Sequence, residues 1–260
     1  MLILIDQINV SFQSKKSDFV ALNNFNLEIE RNEFVSIVGH SGCGKTTLLN
    51  LIAGFLKPTS GTLLFEGKSI SSPASDRVVV FQEDAVFPWL TVENNIAYGL
   101  DAIGVNGTEK KNIVKKYLDL IGLKSFADYY PKDLSGGMRK RVDLARAYAV
   151  NPKVLLMDEP FGALDAYTRQ NMQSQLLNLW DEEKKTVVFV THDISEAIFM
   201  SDKLVLMSPS PGTVHMVFKV PFARPRNQKI KKSMEFLALQ SEIEELLHSF
   251  ETADATLITK

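Results

Sequence analysis

The chain has 260 residues, 45 % of them hydrophobic, and balances 29 basic against 31 acidic side chains for a formal net charge of −2. That is enough apolar material for one large α/β domain or a core with a subdomain, and near-neutrality excludes a global field that would draw the chain to nucleic acid or an anionic membrane. The single cysteine, Cys43, excludes an intrachain disulfide and fits a reducing compartment.

Residues 1–6 are apolar but lack a basic leader and meet a carboxylate at Asp6, so they read as a strand rather than a signal peptide. Further β-patterned runs at 3–12, 26–29, 33–38 and 61–65 make the first quarter strand-rich, with turn residues such as Pro58 and Gly61 between them. The apolar stretch 48–56 is broken by Asn50 and Gly54 and falls well short of the ~20 residues of a spanning helix. Residues 78–81 form a continuous apolar run of the kind buried on both faces of a sheet, ending at Gln82. From 91 to 148 the period turns helical, with Ile113, Val114, Tyr117, Leu118 and Ile121 on one stripe, which predicts a helical insertion. Strand patterns return at 154–157, 186–190, 203–207 and 213–220, and helical patterns at 166–182 and 195–200. The alternation predicts a parallel sheet with right-handed crossovers. A basic, proline-broken stretch, 221–232, suggests a solvated linker by composition. Phe236, Leu239, Ile243, Leu246 and Phe250 then step by three and four as one amphipathic helix.

Residues 39–47, Gly-His-Ser-Gly-Cys-Gly-Lys-Thr-Thr, follow an apolar run and precede an apolar helix start. Gly39, Gly42 and Gly44 let successive N–H groups turn toward one anion, and the helix adds its positive end. At that spacing Lys45 reaches β- and γ-phosphates and the Thr46 hydroxyl is placed for Mg²⁺; a plain turn would need none of it. Cys43 reads as a small residue that fits the loop.

Phosphate binding alone leaves the metal half-coordinated, and residues 154–159, Val-Leu-Leu-Met-Asp-Glu, supply carboxylates at a strand end. Asp158 suits Mg²⁺, and Glu159 stands one residue on, where an attacking water would sit. Gln82 and His192 also follow strand patterns, and in a doubly wound sheet such ends converge on the ligand crevice. Taken alone, His192 reads as a structural histidine or a helix cap. Residues 134–138, Leu-Ser-Gly-Gly-Met, open a helix and offer a second anion site built from a hydroxyl, backbone N–H groups and a helix dipole.

With these elements in this order, the chain resembles the nucleotide-binding subunits of ATP-binding cassette (ABC) transporters over nearly its whole length. Residues 39–47 resemble the Walker A loop, Gln82 the Q-loop, 134–138 the signature, 154–159 Walker B, Leu164-Asp165 the D-loop and His192 the switch histidine. The resemblance implies an α/β P-loop cassette with a mostly parallel core sheet, an N-terminal antiparallel β-subdomain and a helical signature subdomain. Residues 1–220 would form the cassette, with the helical part at about 83–150, and 221–260 a linker and helix.

By the same resemblance ATP is held by Gly39, His40, Ser41, Gly42, Cys43, Gly44, Lys45, Thr46 and Thr47, with Phe12 and Val20 at the adenine and Phe19 as a substitute. Ser135, Gly136 and Gly137 would complete the site of a second copy, and Asp165 of the D-loop would also bind nucleotide. Mg²⁺ would be held by Thr46, Gln82 and Asp158, and catalysis would use Glu159, Gln82 and His192. Met138 and Lys140 stand where many members carry glutamine, and Lys140 is expected to add charge near the dimer interface.

Residues 82–92, with Trp89 after Pro88, are similar to importer ATPases for nitrate, taurine, alkanesulfonates and bicarbonate, as is the Pro-Phe-Ala-Arg-Pro-Arg run at 221–226. Trp89 either lines a groove for a permease helix or packs the junction of core and helical subdomain. The implied protein sits on the cytoplasmic face of the inner membrane, held peripherally by transmembrane permease subunits that work with an external solute-binding protein, and it has no nucleic-acid partner. An exporter cassette or another importer class is the alternative. A DNA-repair cassette would need a long heptad insertion that is missing here, and a translation-associated protein would need two cassettes.

Overall fold

A computed structural model describes residues 1–13, 18–83 and 85–258, with side chains as far as Phe250; Asp84 of the 82–92 segment lies outside the described residues. The chain forms two compact units, Met1–Pro73 with Thr186–Lys260, and Ala74–Lys185.

The first unit holds an antiparallel sheet in the order β2 (Phe19–Ile29), β1 (Ile3–Phe12), β4 (Ser60–Phe65), β5 (Lys68–Ser69). β2 extends seven residues further toward the N-terminus than the apolar run at 26–29 predicts, because pairing with β1 carries the polar Asn23 and Asn24 through a register shift in which β2 holds the extra residue opposite Ile8–Val10. A second sheet places β3 (Phe34–Val38) between β8 (Thr186–Val190) and β9 (Lys203–Met207), parallel to both, with β10 (Val214–Lys219) antiparallel on β9. Every residue of β3 and β8 is buried, which accounts for their largely apolar sequences. α1 (Lys45–Ala53) buries Leu48, Leu49, Leu51 and Ile52, and burying each such side chain contributes about 2 kcal/mol. α6 (Ile194–Met200) packs on β3, where Ser36 donates to the Ala197 carbonyl at 3.3 Å.

The 221–232 stretch is no solvated linker. Arg226 is 8 % exposed and donates to the carbonyls of Ile198, Phe199 and Ser201, while Arg224 donates to the Met200 carbonyl and pairs with Asp202. Two guanidinium groups thereby satisfy the open C-terminal end of α6, where the helix dipole favours cations. α7 (Met234–Ile258) follows, with Phe236 and Ile243 fully buried on the predicted stripe.

The second unit contains β6 (Arg77–Val80) parallel to β7 (Val154–Asp158), together with α2 (Val92–Ala102), α3 (Gly107–Leu120), α4 (Gly136–Ala149) and α5 (Ala166–Glu182). The helical period read over 91–148 therefore corresponds to α2, α3 and α4, with two short 3₁₀ turns, Lys124–Phe126 and Pro131–Asp133, between α3 and α4.

Candidate functional site

In the first unit the 39–47 loop leaves β3 and enters α1. Gly42 and Gly44 hold φ of 81° and 100°, a region other residues reach only with strain, and a Cβ on Gly44 would stand 2.9 Å from the Ala21 carbonyl oxygen. Gly39 serves a different need: a Cβ there would sit 2.8 Å from Cys43 Sγ. Cys43 is buried, and burial pushes its thiol above the ordinary value against the opposing pull of Lys45, so it stays protonated and fills space. Lys45 is 7 % exposed, and its ammonium donates to the carbonyls of Gly39 at 2.7 Å and His40 at 2.9 Å. Ser41, Gly42 and Thr46 are exposed; His40 and Thr47 are half-buried. Among the described residues no side chain caps α1, and its first turn holds no carboxylate, so its leading N–H groups and dipole suit an anion.

The turn after β8 leaves the same end of the sheet as this loop, because β3 and β8 are parallel neighbours. It carries His192, exposed, between Thr191 and the α6 cap Asp193. The turn is fixed by a buried bond from the Thr191 hydroxyl to Glu196 at 2.6 Å and by the Asp193 N–H on the Thr191 oxygen at 3.0 Å. Thr191 and Glu196 escape sequence reasoning because neither belongs to a recognisable motif. Phe12 and Phe19 face each other across β1 and β2, Val20 faces Ser11, and all three named apolar side chains are 40–48 % exposed.

In the second unit the parallel pairing of β6 and β7 brings Gln82 and the Asp158-Glu159 pair out at one end. Asp158 and Glu159 are half-buried, and Glu159 holds a left-handed φ of 43°, a strained setting of the kind that persists where surrounding structure enforces it. The Gly162 N–H closes that turn onto the Glu159 carbonyl at 3.0 Å. A Cβ on Gly162 would stand 3.1 Å from Gln82 Nε2 and 3.4 Å from the Glu159 carbonyl oxygen, so Gln82 and the Glu159 turn meet over this glycine.

Lys140 does not add charge at an interface. It is 1 % exposed and donates to the carbonyl of Phe81 at 2.6 Å, with Asp143 at 3.4 Å. Arg146 completes the knot on Asp143 at 2.8 Å and on the Ala85 carbonyl at 2.5 Å. A buried charge is tolerable here because every partner is close, and it ties α4 to the backbone on both sides of Gln82.

Ser135 caps α4, accepting from the Met138 N–H at 3.3 Å, and keeps its own hydroxyl proton to donate. Gly137 lets this helix start approach α5: a Cβ there would stand 2.8 Å from Thr168 Cγ2. Asp165 caps α5 by accepting from the Thr168 N–H at 3.0 Å, and the hydrogen bonds from Thr168 hold its carboxyl below the ordinary value.

Trp89 is 69 % exposed. It forms an aromatic ridge with Phe87 at 5.5 Å and Tyr98 beyond it, over a cavity of about 400 Å³ lined by Val78, Phe87, Tyr98, Ile103 and Arg146. The turn is shaped from within by Asn95, fully buried, whose amide bonds the N–H and carbonyl of Phe87 and the carbonyls of Leu90 and Thr91 at 2.7 to 3.1 Å.

Residues 22–162 match the sequence family described as ABC transporter. The chain belongs to that family. It is 42 % identical over 260 residues, 98 % of each chain, to the nitrate import ATP-binding protein NrtD of Synechocystis sp.. It is 43 % identical to the bicarbonate transport ATP-binding protein CmpC of the same organism, across 94 % of this chain and 37 % of that longer protein. Among solved structures, the dimeric post-hydrolysis state of the ATP-binding cassette MJ0796 bound to ADP and Pi superposes with a TM-score of 0.72 at 32 % identity, over 85 % of this ABC chain and all of that one. This ABC protein is an ATPase of the P-loop cassette fold, and its relatives include a nitrate import and a bicarbonate transport ATP-binding protein.

Proposed function

We propose that two copies of this ABC ATPase close on ATP and thereby power uptake of a small anionic solute, nitrate-like or sulfonate-like, through a separate membrane permease. The observation that carries the reading is the pair of backbone-built anion sites on one chain: the uncapped start of α1 behind the 39–47 loop, and the start of α4 headed by Ser135, Gly136 and Gly137.

On this reading residues 39–47 hold the β- and γ-phosphates, with Lys45 supplying the charge, and Phe12 and Val20 hold the adenine. Ser135, Gly136 and Gly137 of the second copy grip the same γ-phosphate, with its Asp165 turn alongside. Bound ATP supplies the phosphoryl group and, with Mg²⁺, the charge that both halves neutralise. Thr46, Asp158 and Gln82 offer hydroxyl, carboxylate and amide oxygens, a donor set suited to that hard cation. Glu159 takes the proton of the attacking water, while Gln82 and His192 orient water and γ-phosphate.

Residues 1–220 are the cassette, with its helical part at about 83–150, and 221–260 the tail. The aromatic ridge at Trp89 receives a short helix of the permease, which holds the chain at the cytoplasmic membrane face; no described helix is long and apolar enough to cross a membrane. The similarity to NrtD supports import over export.

Light scattering of Glu159→Gln with MgATP tests the composite site. The variant is expected to bind ATP and accumulate as a dimer, and persistence as a monomer at saturating ATP would refute the reading. Purifying the chain with its permease and external binding protein, and weighing the retained ligand, identifies the solute.

A further inference from the structure

His40 is engaged from two sides within the first unit. Its backbone carbonyl accepts from the Lys45 ammonium at 2.9 Å, so the 39–40 backbone sets where that ammonium points. Its ring Nε2 lies 3.1 Å from the Leu247 carbonyl of α7, and since a carbonyl only accepts, Nε2 carries the proton. Three residues along, the Phe250 ring meets the edge of His40 at 6.3 Å and of His215 on β10 at 4.7 Å, at interplanar angles of 75° and 87°. α7 reaches the loop because Phe236 and Ile243, both fully buried, anchor its first half, and steps of seven, four and three keep 236, 243, 247 and 250 on one face.

We propose that the second half of α7 braces the phosphate loop. The Leu247 carbonyl and the Phe250 ring hold His40, and His40 holds the carbonyl that aims Lys45, so that ATP meets a loop ordered in advance. A loop that must be ordered at the moment of binding loses affinity by the cost of that ordering. Phe250 is therefore a positioning residue for nucleotide binding, acting through His40. The inference rests on Lys45 being a phosphate ligand.

The test uses the full chain and MgATP. Phe250→Ala is expected to weaken the equilibrium affinity about fivefold, the scale of a lost ring contact plus a slackened hydrogen bond. KM should rise in step while kcat at saturating ATP stays within about twofold, because a brace acts on binding rather than on chemistry. Phe250→Tyr, which keeps the ring edge, restores wild-type affinity. His215→Ala removes the far support of Phe250 on an exposed strand, folds independently of the helix change, and weakens binding by about twofold. In both alanine variants the amides of residues 39–44 exchange faster. Wild-type binding that is matched by Phe250→Ala and His215→Ala, with only a lowered melting temperature, overturns the brace and leaves the ATP site standing. Absence of MgATP binding by the wild-type chain overturns the reading of Lys45 and the brace with it.

Discussion

Single side chains decide how this molecule holds its reactive turns. Lys140 is the clearest case: a long cation in the first turns of a helix reads as a surface residue, yet its ammonium spans from α4 to the Phe81 carbonyl inside the second unit. Lys140→Ala leaves that carbonyl unpartnered and gives Asp143 one cation fewer, so it should destabilise the chain by about 3 kcal/mol in urea unfolding. Lys140→Met, which keeps the volume, should lose less. The roles expected of Gln82 and Glu159 are readable from strand-end spacing, but their meeting over Gly162 is not, since it joins positions 77 residues apart in a contact no local pattern encodes. The same holds for the left-handed backbone of Glu159, where the adjacent Pro160 signals a turn without saying that Glu159 itself takes the strained φ.

Among the elements, those buried on both faces or along a single stripe were legible: β1, β3, β7, β8 and α5 emerge from apolar runs and periodicity within a residue or two, and the stripe of α7 is the one the structure buries. β2 was only half legible, because its N-terminal part draws its stability from pairing with β1 rather than from its own composition. The arginines at 224 and 226 were misread for a related reason: charge predicts solvent, whereas a helix end with open carbonyls can draw a guanidinium inside. Joining α3 to the end of α5, the Tyr117 hydroxyl donates to Glu183 at 2.5 Å and Lys116 forms an ion pair with the same carboxylate. Burial raises the Glu183 pKa, but the bonds from Lys116 and Tyr117 outweigh it and hold the carboxyl below its ordinary 4.5. A depressed folded value adds stability that is complete above the ordinary pKa and disappears as pH falls through the folded one. Glu183→Gln should therefore cost about 1–2 kcal/mol at neutral pH and flatten the acid limb of a stability profile below that value.

For the molecule as a whole, the order of motifs along the chain identified the family, because each phosphate-handling element needs a strand end or helix start that spacing alone reveals. What no spacing reveals is the surface on which the proposed permease would dock. Trp89 stands outward at 69 % exposure, so Trp89→Ala should leave ATP hydrolysis by the free subunit within about twofold of wild type. The same change should lower solute transport by the reconstituted transporter about tenfold, the loss expected when an aromatic anchor is truncated. Loss of hydrolysis in the free subunit would instead mean that the indole supports the fold.

The buried amide of Asn95 gives that ridge a further property. Because one interior side chain saturates the peptide groups around Phe87, Leu90 and Thr91, the curvature of the bend is independent of whatever points away from it. Outward residues such as Trp89 can then be exchanged while the scaffold beneath keeps its form, so that, on the proposed reading, a handful of surface replacements would refit one ATP-driven engine to another permease.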